Sequence, residues 1–167
     1  MKKYFIGMLA VVLVLSTFLM TGSATAKESK ILEFSTMVGV PRPFTGPTNA
    51  IRGVPGGGRP WVIDSAEGEL KADGEIEVTV RGLVIDPNEP VATAGTNPSA
   101  TFKVIVSCMS KDANGAAVIS NVETPTFPAS PDGNAEIESS VTLPTPCIAP
   151  IIFVTSPTGS WFAATGN

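Results

Sequence analysis

TFKVIVSCMSKD (101–112), GAAVISNV (115–122) and GNAEIESSVTLPTPCIAPIIFVTSPTGSWFAATG (133–166) fill the last third of the chain, and their patterning decides the fold. In the first segment Phe102, Val104, Val106 and Cys108 fall on alternate positions, the period of a β-strand with one face turned inward. Asp112 and the pair Asn114-Gly115 form its turn, and 117–122 reads as a short returning strand. Pro125, Pro128 and Pro131 break the ladder before a turn at Asp132-Gly133-Asn134. Beyond it Ala135, Ile137, Ser139, Val141 and Leu143 share one face, with Glu136, Glu138, Ser140 and Thr142 on the other. A last hairpin turns at Ser156-Pro157-Thr158-Gly159.

Cys108 and Cys147 are the two cysteines of the chain, 39 positions apart. In an exported chain the simplest state for such a pair is one disulfide. It would staple an inner strand to the C-terminal hairpin, and a loop of that length is worth about 4 kcal/mol in the chain-entropy model. Without a Cys-x-x-Cys motif the bridge is structural chemistry, not redox catalysis.

Upstream, residues 30–38 read as a first strand. Residues 39–60 hold five prolines and the run Gly56-Gly57-Gly58, so they form neither helix nor central strand and are expected to wrap a sheet edge. The glycines do not make a phosphate cradle, because no Lys-Ser or Lys-Thr follows them. A strand opens at Arg59-Pro60-Trp61. Then Asp73-Gly74, the pair favoured by a type I′ turn, precedes Glu75-Ile76-Glu77-Val78-Thr79-Val80-Arg81, which alternates polar and apolar without a fault. Leu83-Val84-Ile85 reads as the end of that strand. Residues 86–100 hold three prolines and no periodicity, and form either a binding loop or a mobile insertion.

About eight or nine short strands, with turn signals roughly every 8–12 residues, spell an all-β antiparallel β-sandwich with an immunoglobulin-like arrangement. A closed barrel is the alternative architecture.

The N-terminus is of another kind. Lys2 and Lys3 precede an apolar run from Phe5 to Met20, followed by small residues with Ala24 and Ala26 at the positions a signal peptidase reads. Residues 1–26 are thus expected to be a cleaved secretory signal peptide. Residues 27–167 are expected to be one exported domain with no stable membrane anchor. Loss of Lys2 and Lys3 leaves 9 basic against 15 acidic residues, moving the net charge from −4 to −6. With no basic patch, nucleic acid is not an expected partner.

The chain has 0 histidines, which removes Ser-His-Asp and Cys-His arrangements and most zinc sites. No Gly-x-Ser-x-Gly elbow occurs, and no cofactor or metal is expected. Asp112-Ala113-Asn114-Gly115 has the spacing of the start of a calcium loop but lacks the later ligands, so a plain turn is the better reading. Glu75 with Glu77, or Glu136 with Glu138, would stand about 7 Å apart, near the separation of glycosidase carboxylates. Alternating glutamates on an outward strand face are, however, the ordinary way to keep a sheet soluble. Trp61, Trp161 and Arg59 are the possible ligand contacts: the tryptophans as platforms for sugar rings, with Trp61 the more exposed, and Arg59, with Arg42 and Arg52, as a grip on an acidic group.

RGVPGGGRPWVIDSAEGELKADGEIEVTVRGLVI (52–85) and PCIAPIIFVTSPTGSWFAATG (146–166) resemble a group of small secreted bacterial proteins, over nearly the whole exported domain. The resemblance implies a bacterial origin and an exported single domain, and transfers no activity, ligand or site. The expected function is therefore a secreted, non-enzymatic sandwich with a binding or structural role at the cell surface or outside the cell. Its partner would be an extracellular protein or a glycan. The alternatives are a carbohydrate-binding module and a carboxylate-dependent glycoside hydrolase. The expected contact surface is 39–60 with 86–100, provided those loops meet at one end of the sandwich.

Overall fold

The computed structural model describes residues 29–165, so the signal peptide read over 1–26 lies outside the described residues. The chain is an antiparallel β-sandwich. One sheet has the spatial order β1 (Lys30–Phe34), β4 (Ser65–Lys71), β5 (Glu75–Arg81), β10 (Ala135–Ser140). The other runs β2 (Met37–Gly39), β12 (Trp161–Thr165), β11 (Ile148–Thr155), β7 (Thr101–Lys111), β8 (Ala117–Glu123), and β9 (Phe127–Pro128) pairs with the start of β7. A small ladder joins β3 (Trp61–Val62) to β6 (Val84–Ile85). No backbone pairing closes the two large sheets on each other, which makes the molecule a sandwich and not a barrel.

The period-2 patterns sort as read. Ile76, Val78 and Val80 of β5 and Ala135 and Ile137 of β10 are buried, and they face Phe102, Val104, Val106 and Cys108 of β7 in one core. Burial of side chains this size is worth roughly 1.5–3 kcal/mol each. The strand count among the described residues rises to twelve because two runs read as single strands are each divided, and because β9 forms within the proline stretch read as breaking the ladder. The first changes sheets at Ser35-Thr36, giving β1 and β2. In the second, Gly82 turns the chain at φ +66°, and Leu83 then donates its amide to Gly133 O, so β6 leaves the sheet that holds β5.

The Asp73-Gly74 hairpin also differs in detail. A type I′ turn needs positive φ at both central residues. Here Gly74 alone has it, at +96°, and its amide donates to Lys71 O. The connection is a three-residue loop, a type I turn followed by a left-handed glycine. That glycine has a second reason to be there: a Cβ on it would come within 1.9 Å of Val141 O.

Within the larger sheet the run β12-β11-β7-β8 has the order of strands G-F-C-C′ in an immunoglobulin domain. The smaller sheet is wired differently. Its two central strands, β4 and β5, are a hairpin, where the immunoglobulin arrangement places B beside E, distant in sequence. The disulfide differs too. Cys108 on β7 bonds Cys147, the residue before β11, with Cα atoms 4.9 Å apart, so the bridge joins neighbouring strands of one sheet and does not pin two sheets together.

Removing this bridge, by reduction or as C108A/C147A, is expected to lower the unfolding free energy by about 3–4 kcal/mol, read from urea midpoints with and without reductant. A change below about 1 kcal/mol would mean that the 39-residue loop is already constrained in the unfolded chain.

Candidate functional site

The proline- and glycine-rich segment 39–60 does more than wrap an edge. Near its end Gly57 donates its amide to Trp161 O and Trp161 donates to Pro55 O, extending the sheet past β2. Between these points the chain crosses the outer face of the larger sheet. Ile51 and Val54 bond each other's backbone, and Arg52 sits at the tip with φ +50°. Its guanidinium donates to Ser107 O on β7 at 2.9 Å and to Ala149 O on β11 at 2.8 Å, while Asn121 on β8 donates its amide to Arg52 O. The ladder between β7 and β11 is irregular between Ile148 and Ile151, which leaves carbonyls there for an outside donor. Arg52 supplies it. Under this cover every residue of β7 from Phe102 to Cys108 is buried, including Lys103 and Ser107.

The glycines answer to the same packing. A Cβ on Gly56 would meet Phe44 O at 1.9 Å, and one on Gly57 would come within 2.9 Å of the Phe162 ring. Trp61 stacks on Phe162 with ring centroids 3.8 Å apart, and Phe102 meets Phe162 edge-on. Trp61, expected to be the more exposed tryptophan, is therefore a core residue, because the glycine run lets the backbone close over it. Trp161 is buried as well, against Phe153, and its indole N–H has no protein partner. Neither ring offers a platform to a sugar.

The loops 39–60 and 86–100 do meet. Glu89 is buried between them, bonded by Arg42 at 2.9 Å and approached by Arg59 at 3.8 Å, both with exposed side chains. The second loop is tied down throughout. Ile85 donates to Thr96 O, Gly95 to Ile85 O and Asp86 to Pro60 O. The Asn97 side-chain amide reaches Ser99 O and Ser130 O. Of the three residues expected to contact a ligand, Arg59 alone stands at this surface, and Arg42 and the exposed Phe44 belong to the same loop.

The glutamates lie elsewhere, on the outer face of the smaller sheet. Register places Glu33, Glu69, Glu77 and Glu138 directly opposite one another in a single row across all four strands. Sequence reading paired glutamates along strands and missed this row, which exists only once neighbouring strands are in register. Like charges in such positions repel. Lys30 offsets this by bonding Glu33 and Glu69, and Lys71 bonds Glu75. The carboxylates hold both ammonium groups above the ordinary lysine value, Glu69 ahead of Glu33 for Lys30 and Glu75 foremost for Lys71. A raised lysine stabilises the fold while protonated, so this contribution is complete at neutral pH and is lost only as alkaline pH passes the raised value. Glu136 is held by Arg81 at 2.7 Å. Both glutamate pairs considered for glycoside hydrolysis thus stand exposed on an open sheet face.

Asp112 spends its carboxylate on its own turn, accepting from the amides of Asn114 and Ala116, as a plain turn does. Among the described residues no group of three or more His, Cys, Asp or Glu is placed to hold a metal ion. No described helix is long and apolar enough to cross a membrane. Comparison with known proteins matches the chain to no family model, no curated sequence and no solved structure. The class rests on the fold itself: a disulfide-bonded β-sandwich with one covered face, one acidic face and a loop junction built on a buried carboxylate.

R52A should cost about 1–3 kcal/mol, since two carbonyls lose a charged donor, whereas R59A, whose partner keeps Arg42, should change stability by less than about 1 kcal/mol. Urea unfolding of the two variants side by side checks the contrast. Both tryptophans should emit at short wavelength and resist iodide quenching; a quenchable fraction would place one of them at the surface.

Proposed function

We propose that this is an exported bacterial protein that acts by binding, without catalysis, at the cell surface or outside the cell, and that it binds through the joined loops 39–60 and 86–100. The observation that carries this reading is the Glu89 junction. A carboxylate is buried between two loops and two arginines reach it from the solvent side, which fixes the loops as one surface. A surface already ordered loses little conformational freedom on binding. Phe44 adds an exposed apolar group beside the cationic pair. The Cys108–Cys147 bridge suits an oxidising destination.

The two alternatives have less support. A sugar-binding module would use a flat aromatic ring, and Trp61 and Trp161 are both in the core. A two-carboxylate hydrolase would enclose its acid to raise the pKa, and the glutamate pairs stand in water. The partner that fits the loop surface is an extracellular protein or an acidic glycan recognised through arginine.

The test mixes the purified protein with isolated cell walls and a panel of insoluble polysaccharides, and measures both protein lost from solution and soluble sugar released. We expect depletion without sugar release. The triple variant R42A/F44A/R59A, with unchanged circular dichroism, should bind at least about tenfold more weakly, the equivalent of roughly 1.4 kcal/mol. Release of sugar would overturn the reading, and full retention of binding by the triple variant would remove the loops from it.

A further inference from the structure

Edge strands of a sheet present unpaired N–H and C=O groups, and proteins usually guard them with lysine, proline, bulges or short length. Among the described residues, three of the four edges of the two large sheets are guarded in that way or by charge. Strand β1 has an irregular register between Lys30 and Leu32, β2 is 3 residues long, and β10 carries Glu136 and Glu138. Strand β8 is different. Its pairing with β7 runs unbroken from Ile105 opposite Glu123 to Lys111 opposite Ala117. Residues 117–122 include no proline and no charge, and among the described residues no strand lies on the other side.

Which backbone groups are free follows from the ladder. Thr124 donates its amide to Val104 O, and Asp112 donates to Ala116 O. Hydrogen-bonded pairs alternate along an antiparallel ladder. Val118, Ser120 and Val122 therefore point their backbone groups at β7, while Ala117, Ile119, Asn121 and Glu123 point theirs at the open edge. On the outer face, register aligns Ile148 of β11, Met109 of β7 and Ile119 of β8 in one cross-strand row. These side chains are 54%, 45% and 46% exposed, and the row ends at the same edge.

We propose that β8 is a self-association edge: two copies of the chain pair β8 with β8, antiparallel, about a two-fold axis at Ile119. The strand is complementary to itself in this register. Ile119 faces Ile119 of the second copy and Ala117 faces Asn121, so the outward backbone groups of these three residues meet outward partners. The row Ile148–Met109–Ile119 continues into its copy, giving an unbroken apolar line across the joined sheets. Charge permits it in an acidic protein, since the paired segment has none. Each Glu123 keeps its bond to Lys103 and falls opposite Gly115 of the second copy, not opposite a carboxylate. One ladder and one apolar row bury less than a standard interface of about 1,600 Å², so the dimer depends on concentration.

Sedimentation velocity over a concentration series should show monomer passing to dimer. I119K, at an exposed site and with unchanged circular dichroism, should remain monomeric throughout. Amide exchange at Ile119 and Asn121 should slow as the wild-type protein is concentrated. The two Cα atoms at position 119 would lie about 5.5 Å apart, within disulfide range, so I119C should form a covalent dimer under mild oxidation and N121C should not. A wild-type protein that is monomeric at every concentration, with fast exchange at both amides, overturns the proposal; that is also the result expected if β8 receives a strand from another protein. Persistent dimer in I119K, or equal cross-linking by N121C, overturns it too.

Discussion

Arg52 carries a constraint on which the larger sheet depends. A strand buried on both faces needs cover on both, and β7 is such a strand from Phe102 to Cys108. The smaller sheet covers one face. The other is covered by a segment with too much proline and glycine to form a sheet of its own, held by backbone bonds to β12 and, at its tip, by one guanidinium that donates to carbonyls on two strands. The same donor satisfies backbone left over at the irregular stretch of β11. The Ser107 carbonyl is part-buried, so a donor there spares a desolvation cost, while the Ala149 carbonyl is exposed and gains the bond alone.

What could be read from the residues follows the range of the interactions involved. Strand existence and facing are local, since period 2 is set by the pleat, and so the Phe102–Cys108 and Glu75–Arg81 patterns named their inward side chains correctly. The cysteine pairing was legible because a chain with two cysteines allows one internal bridge. The type of the Asp73-Gly74 turn was not legible, since the pair suits both a two-residue and a three-residue connection and the choice rests on strand register. Trp61 was misplaced because a flanking proline- and glycine-rich segment reads as solvent-facing. Its glycines are there for close approach to aromatic rings, and that need is a property of the assembled core. The Glu33–Glu69–Glu77–Glu138 row and the Arg42–Glu89 contact join residues far apart in sequence, and no local pattern announces them.

The three kinds of surface answer to different physics. The outer face of the smaller sheet is dominated by carboxylates, partly offset by Lys30, Lys71 and Arg81, and is suited to staying in water. The loop junction carries Arg42 and Arg59 at its rim and is tied by backbone and side-chain bonds beneath. Along residues 117–122 of β8 the surface is uncharged and largely apolar, with backbone groups left over. The proposed binding surface and the proposed self-association edge therefore fall on separate parts of the molecule, and neither proposal requires the other.

The strand order also sets how the fold would carry load. Strand β2 pairs with β12 so that Met37 lies beside Thr165, the last described residue, while the described chain begins at Ser29, just ahead of β1 in the other sheet. Tension entering through Ser29 must first detach β1 from β4, and only then peels β2 from β12 one rung at a time. The peeling cannot run through the whole chain, because the Cys108–Cys147 bridge holds a closed loop spanning 39 positions. That loop withholds roughly 130 Å of contour length from extension. A molecule of this design gives way early at its margin and then stops lengthening while part of its chain is still closed.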